Sequence, residues 1–377
     1  MRMNPDIPNR EDRLVTGIDV LRGLFAVLVV VAHASAMVFD SRASEVAGFS
    51  ERLFETVMRQ GLLWVIGFFV LSGFCIHRSV VGMLMAGDFD FRQYLRARVT
   101  RIYPFYLIGF ALALVAGMLE RPDEITAGKV AAALTMTQSL FGMLPAFAIS
   151  WSLTHEMAYY IAYGWLVRHT KGDWRRVFTL GIGLSVLGTL VVFGLWVALG
   201  KFGGGVSPPW AIPMMMLIWL AGAAMACHWE KMERMFQSSR RLGLGLGISF
   251  AALYPVYIGY WLYSNRLLPL QLINVAWIPF FCLLLLALPR LSWLDGMLIR
   301  RVAGKLGLLS YPLYLLHLPL QSLMGSLWPS WQKIPMAAQW FLLASFPVLF
   351  CWFAAIPVES RLLTWRRRYL KSCSKRL

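Results

Sequence analysis

Two ionisable residues, Arg22 and His33, lie inside one apolar stretch near the start of the chain, residues 16–39. They are eleven residues apart, so in an α-helix both side chains lie on one face, offset by about 16 Å along the axis. An ionisable side chain that faces lipid costs several kcal/mol, and two on one face therefore predict a polar cleft inside a helical bundle. The competing interpretation is structural: Arg22 extends to the lipid headgroups and His33 packs between helices.

A carboxylate follows the start of the fourth apolar stretch. Glu156 lies in the sequence WSLTHEMAYY, at about the depth in its stretch that His33 has in the first one. A carboxylate level with a histidine can orient and charge a catalytic imidazole, so His33 and Glu156 are predicted to form a catalytic pair. The competing interpretation is that Ser152 caps the helix and Glu156 completes the capping arrangement.

Four arginines precede the third apolar stretch. Arg98 and Arg101 are i,i+3 neighbours on one helical face and lie next to the membrane, whereas Arg92 and Arg96 are interpreted as an ordinary positive flank. A planar guanidinium group binds phosphate or carboxylate in a bidentate manner. Arg98 and Arg101 are therefore predicted to bind an anion. Glu359, just beyond the last apolar stretch, is predicted to pair with a cytoplasmic arginine.

The ninth apolar stretch contains a polar stripe. Ser310, Tyr314 and His317 follow the i, i+4, i+7 spacing of one helical face and are candidate substrate contacts. A polar packing seam is the competing interpretation. In the sequence FFVLSGF, residues 68–74, small side chains predict that another helix approaches closely.

These residues require helices that hold them within a membrane. Of the 377 residues, 58% are hydrophobic and 15% are charged, a composition that predicts an all-α, polytopic transmembrane helical bundle. The predicted domains are a cytoplasmic segment (1–15), a transmembrane domain (16–357) and a basic cytoplasmic tail (358–377). About ten membrane-spanning helices can be drawn, at residues 16–39, 60–84, 102–119, 149–167, 177–199, 212–229, 242–262, 268–288, 305–327 and 336–357.

The positive charge follows the predicted topology. Roughly three-quarters of the Lys and Arg residues lie in alternate loops, the positive-inside pattern that places both termini in the cytoplasm. The net charge of +17 is thus explained by topology and by anionic membrane lipid, and nucleic acid is not predicted as a partner. The run Arg366–Arg368 is predicted to face lipid. Five scattered cysteines without a C-x-x-C motif argue against a disulfide framework and a zinc site, so no metal is predicted.

Five motifs, taken in order, carry a resemblance to a known family. They are IDVLRGLFAVLVVVAHA (18–34), FFVLSGF (68–74), RVTRIYP (98–104), WSLTHE (151–156) and LGLLSYPLYLLHLP (306–319). From about residue 16 to 360 the chain resembles the membrane acyltransferase-3 family, of the type that acylates bacterial polysaccharides. The resemblance implies that His33 is a catalytic base and that Arg22, Arg98 and Arg101 contact an acyl-coenzyme A donor, with acetyl-CoA favoured.

The resemblance also implies the setting of the reaction. The acceptor would be a hydroxyl of a glycan, such as exopolysaccharide, lipopolysaccharide O-antigen or a lipid-linked oligosaccharide, and the location a bacterial inner membrane, spanned several times. Polysaccharide assembly proteins or a second copy of the chain are further candidate partners. Direct transfer and a relay through an acylated His33 both stay open. Two other functions also stay open: a proton-coupled transporter of a glycan or small anion, and a non-catalytic acyl-CoA-binding subunit of an assembly complex.

Overall fold

The computed structural model describes residues 10–40, 48–87, 89–199, 208–236, 238–263 and 270–374. Helices account for 90% of the structure, and these ranges contain no β-strand. The all-α prediction is therefore confirmed. The predicted segment 1–15 is only partly described, and α1 already begins at Arg10 within it.

Sixteen α-helices follow one another through the described residues, several of them joined by short 3₁₀ turns. In chain order they are α1 (Arg10–Asp40), α2 (Phe49–Met58), α3 (Gly61–Met85), α4 (Phe91–Glu120), α5 (Ala127–Leu134), α6 (Gln138–Phe141), α7 (Trp151–Thr170), α8 (Trp174–Ala198), α9 (Ala211–Cys227), α10 (Trp229–Met235), α11 (Ser239–Tyr263), α12 (Leu270–Val275), α13 (Ile278–Ala287), α14 (Met297–Leu327), α15 (Met336–Phe350) and α16 (Ile356–Ser374). A short π-helical segment, Cys351–Ala355, makes α15 and α16 continuous.

Seven helical segments of the described chain are long and apolar enough to cross a membrane, or eight if the bent pair α9 and α10 counts as one span. The two remaining predicted spans, residues 149–167 and 305–327, correspond to α7 and α14, which do not meet the same criterion. Both carry polar side chains that lower their hydropathy, among them Glu156 and His317. The number ten and the cytoplasmic position of both termini stay predictions.

Helix α1 lies at the centre of the helices that form the site. It packs along α14 and also contacts α3 and α15, while α14 packs against α4. Helix α8, by contrast, has only three buried residues, Val177, Gly181 and Ser185. Its many exposed leucines and valines suit contact with lipid tails, because apolar surface on this scale is rare on a soluble protein.

Helices α3 and α9 touch through their backbones at two glycines. A Cβ atom on Gly73 would lie 1.9 Å from the carbonyl oxygen of Trp219, and one on Gly222 would lie 2.0 Å from that of Val70. Any larger residue at either position would push the helices apart. The prediction that the FFVLSGF segment permits close helix approach is confirmed.

Candidate active site

The imidazole rings of His33 and His317 face each other between α1 and α14. His317 Nε2 lies 3.3 Å from His33 Nδ1, and the ring centroids are 5.0 Å apart. His317 is fully buried, whereas His33 is partly exposed. The end of the bundle where these two residues meet is called the histidine end below.

Backbone contacts fix the tautomers of both rings. His33 Nδ1 lies 2.9 Å from the carbonyl oxygen of Val29, and His317 Nδ1 lies 3.1 Å from that of Leu313. Because a carbonyl oxygen only accepts hydrogen bonds, each Nδ1 carries a proton, and in the neutral ring Nε2 then carries the lone pair. The Nδ1–H of His33 can then also donate to Nε2 of His317. Nε2 of His33 makes no hydrogen bond within the described structure, so its lone pair is available to a substrate.

A cavity of about 100 Å³, called the central cavity, lies between α1, α3, α4, α7 and α14. Its lining combines apolar side chains with hydroxyl, carboxylate and guanidinium groups, which suits a ligand of mixed polarity. The lining residues are Arg22, Val65, Phe68, Phe69, Leu71, Ser72, Arg101, Ile102, Ser152, Leu153, Glu156, Tyr160, Ser310, Tyr311 and Tyr314. Tyr314 connects it to the histidine end, because its ring centroid lies 6.1 Å from that of His317.

Arginines gather at the opposite end of the cavity, called the arginine end. Arg101 forms an ion pair with Glu359, whose side chain is only 2% exposed, and its guanidinium lies 5.1 Å from the ring centroid of Tyr311. The predicted pairing of Glu359 with an arginine is therefore confirmed, and the cytoplasmic side stays a prediction. Arg98 donates to Ser79 at 2.8 Å and lies over Tyr94 at 5.3 Å.

Burial separates the four arginines of this flank into two pairs. Arg98 and Arg101 are partly buried, while Arg92 and Arg96 are exposed. The sequence predicts the same division, because Arg98 and Arg101 are i,i+3 neighbours on one helical face. Arg22 of α1 lines the cavity together with Arg101, so two guanidinium groups from different helices face one space.

Glu156 lies near the arginine end. Its Oε1 accepts hydrogen bonds from Ser72 at 2.7 Å and from Tyr160, and Trp219 Nε1 donates to the Ser72 hydroxyl at 3.2 Å. Neither of its hydrogen-bond partners in the described structure is His33. The pair predicted from the sequence is thus not in hydrogen-bond contact.

The matched depth that suggested this pair is incorrect. A Cβ atom on Gly61 would lie 3.7 Å from Cε1 of His33, which places His33 beside the first turn of α3. Glu156 instead contacts Ser72, eleven residues further along α3, an offset of about 16 Å. Glu156 is therefore level with Arg22, and His317 occupies the position beside His33.

The hydroxyl groups of the polar stripe are bonded within the protein. Tyr314 forms a 2.7 Å hydrogen bond with Ser152 and donates to the carbonyl of Ile149 at 3.1 Å. Ser310 donates to the carbonyl of Gly307 at 2.8 Å. Ser310 and Tyr314 shape the cavity wall, whereas His317 lies beside His33. Ser152 is not the helix cap, since α7 begins at Trp151 and has no side-chain cap.

Three residues of the site carried no functional prediction: Ser72, Tyr160 and Trp219. In the sequence, Ser72 is one of the small side chains that predict close helix packing. Tyr160 is i+4 from Glu156, a spacing that brings the two side chains together on one helix face and could have indicated their contact. Trp219 lies on a different helix, and no local pattern indicates that its indole reaches Ser72.

The fold and the site define an integral membrane protein with a polar cavity enclosed by helices. In a comparison with protein-family models, residues 15–356 match the acyltransferase-3 family, described as an acyltransferase domain. No match was found among curated proteins or solved structures. The chain belongs to the acyltransferase-3 family and is a multi-pass membrane acyltransferase.

Proposed function

We propose that this protein is an O-acyltransferase that moves an acyl group from acyl-CoA to a hydroxyl group of a glycan. The observation that carries this proposal is the arrangement inside the bundle: guanidinium groups at one end of the central cavity and an imidazole with a free lone pair beyond the other. The two ends are offset by about 16 Å along α1, which suits a donor with a charged head and a long arm.

The arginine end would bind the phosphates of coenzyme A. Arg22 and Arg101 face the cavity, and Arg98 lies one turn before Arg101 on α4. Guanidinium groups bind phosphate oxygens bidentately, and the Tyr94 and Tyr311 rings beneath Arg98 and Arg101 restrict their orientation. The donor's arm would extend from there along the cavity toward His33.

His33 would act as the general base. Its Nε2 removes the proton from the acceptor hydroxyl while the hydroxyl oxygen attacks the carbonyl carbon of the thioester. The new C–O bond forms, the C–S bond breaks, and the departing thiolate takes up the proton that His33 received. The Val29 carbonyl and His317 Nε2 both accept the Nδ1–H of His33, so that Nε2 of His33 is the basic nitrogen.

Acetyl-CoA is the proposed donor, as the family resemblance implies. A glycan of the cell envelope as acceptor, the bacterial inner membrane as location, and assembly proteins or a second copy as partners form part of the same proposal.

Mass spectrometry of envelope glycans and lipids from cells with and without the gene tests the proposed reaction. We expect one class of glycan to lose a mass of one acetyl group per modified sugar when the gene is deleted, and to regain it on complementation. Complementation by a gene encoding His33→Ala is expected to fail. Unchanged glycans in all strains would contradict the proposed acceptor class.

A further inference from the structure

The three side chains of the run Arg366–Arg368 on α16 differ in their exposure. Arg367 and Arg368 are exposed, but Arg366 is partly buried and its Nη2 donates to the carbonyl oxygen of Ala97 at 2.9 Å. The prediction that the whole run faces lipid therefore fails for Arg366. Its inward position follows from the packing of α16 against α4 and α14.

Arg366 joins the arginines of α4. It interacts electrostatically with Arg98, Arg101 and Glu359. These four residues, called the basic cluster, combine three guanidinium groups with one carboxylate and so carry a surplus of positive charge. Like charges repel more strongly away from bulk water, and the cluster is partly buried. An anion bound among the three arginines would offset this repulsion.

Two donors in the basic cluster have no acceptor. The Nε atoms of Arg98 and Arg366 are buried, and neither makes a hydrogen bond within the described part of the chain. Buried donors are normally paired, and each one left unpaired is costly. A phosphate group has several acceptor oxygens and could satisfy both. Arg101 of the same cluster lines the central cavity, so such a phosphate would lie at its arginine end.

We propose that Arg366 is an additional phosphate ligand, which binds a phosphate group of coenzyme A together with Arg98 and Arg101. This assignment rests on the proposed function, because it takes coenzyme A as the source of the phosphate. The headgroup of an anionic lipid offers the same chemistry at the same end of the bundle, and the test below distinguishes the two sources.

The test is a binding titration of the full chain in phosphatidylcholine nanodiscs. Coenzyme A and inorganic pyrophosphate are titrated into the wild type, Arg366→Gln and the matched control Arg367→Gln. We expect Arg366→Gln to weaken binding of both ligands about tenfold or more, the effect of losing a charge-assisted contact. Arg367→Gln removes the same charge from an exposed neighbour and should change either affinity by no more than about twofold.

Equal losses in both variants would overturn the proposal, since the arginines would then act only through net charge. If Arg366→Gln unfolds, Arg366→Lys is titrated in its place, since lysine keeps the charge without the planar fork. We expect Arg366→Lys to bind both ligands several-fold more weakly than the wild type. Wild-type affinity of Arg366→Lys would overturn the proposal. A second set of nanodiscs contains phosphatidylglycerol. Arg366-dependent lipid binding with unchanged coenzyme A affinity would assign the site to lipid and overturn the proposal.

An acetyl-CoA consumption assay separates this inference from the proposed function. If acetyl groups are transferred but Arg366→Gln binds coenzyme A like the wild type, the inference about Arg366 fails and the acyltransferase proposal stands. If binding of both ligands depends on Arg366 but no acetyl group is transferred, the phosphate site stands and the proposed reaction fails.

Discussion

At the scale of single residues, the partner of His33 determines how its imidazole can react. The partner is a neutral imidazole, His317, whose Nε2 accepts the Nδ1–H of His33. A carboxylate in that position would neutralise the charge that His33 gains on protonation, but a neutral ring can only orient it. We therefore infer that His317 is a positioning residue, which together with the Val29 carbonyl orients the His33 ring, with its proton on Nδ1 and its lone pair on Nε2.

Replacement of His317 tests this role. His317→Leu removes the acceptor and is expected to lower kcat about tenfold or more with little change in the KM for acyl-CoA. His317→Gln can place an oxygen near the former Nε2 and should restore part of kcat. The assay measures both constants across a pH series in proteoliposomes.

His77→Gln is the matched control for His317, because His77 is also buried and hydrogen-bonded, to the Tyr163 hydroxyl at 2.6 Å, but its ring neighbours are Tyr163, Trp174 and Phe178 and not His33. It should lower thermal stability without a selective fall in kcat. If His317→Leu raised KM and left kcat unchanged, His317 would be a substrate contact, as the sequence analysis predicted.

The position of Glu156 in the structure leads to a different expectation for its replacement than the catalytic role predicted from the sequence. Its carboxylate lies level with Arg22 and some 16 Å, or about three helical turns, from the depth of His33. We expect Glu156→Gln to raise the KM for acyl-CoA about threefold to tenfold, because the charge-assisted hydrogen bonds from Ser72 and Tyr160 that fix this wall of the cavity become neutral ones. The kcat value and its pH dependence should hardly change. A fall in kcat at constant KM would restore the catalytic role inferred from the sequence.

At the scale of helices, the position of the site depends on the close contact of α3 with α9. The backbone contact at Gly73 brings Trp219 to Ser72, and Ser72 donates to Glu156. One glycine on α3 therefore controls the position of a carboxylate on α7. Gly73 therefore contributes to the geometry of the site although it has no side chain.

Gly73→Ala should separate α3 from α9 and destabilise the fold by about 1–3 kcal/mol, the usual cost of overpacking. Gly82→Ala on the same helix is the control, since a Cβ there would meet no atom within 4 Å. It should be neutral or slightly stabilising, by up to about 1 kcal/mol, because alanine favours the helix. Thermal unfolding in detergent measures both. Equal stability of the two variants would contradict the close contact.

The spacing of residues along one helix predicted their relative positions better than a comparison of membrane depth between two helices. The i+11 relation of Arg22 to His33 and the i+3 relation of Arg98 to Arg101 depend only on helix geometry, and the structure keeps both pairs facing inward. Depth depends on where each helix enters the membrane and on its tilt, which sequence sets only loosely. Because depth is set so loosely, the sequence predicts Glu156 as the partner of His33, whereas the structure places His317 beside it.

Which individual residues of distant helices contact each other could not be predicted from the sequence. The inward turn of Arg366 follows from the packing of α16 on α4, and the approach of Trp219 to Ser72 follows from the packing of α3 on α9. Both depend on rotations of whole helices about their axes. Hydropathy was also an incomplete guide, because the polar residues that build the site make α7 and α14 less apolar than ordinary spans.

At the scale of the whole molecule, the central cavity and the two histidines place polar groups inside an apolar bundle. A transporter would use such groups to carry a substrate across, and an acyl-CoA-binding subunit would use the arginine end alone. An enzyme must consume the thioester and make an ester. Membership of the acyltransferase-3 family and the free Nε2 of His33 favour the enzyme.

The most direct test follows the acetyl group itself. Purified protein in proteoliposomes receives acetyl-CoA labelled in the acetyl group, with an envelope glycan extract as acceptor, and the labelled glycan and the free coenzyme A are measured together. We predict that the wild type forms both in equal amounts and that His33→Ala forms neither above background, although it is folded and binds coenzyme A. Full transfer by His33→Ala, or wild-type protein that leaves the thioester intact, would contradict this account.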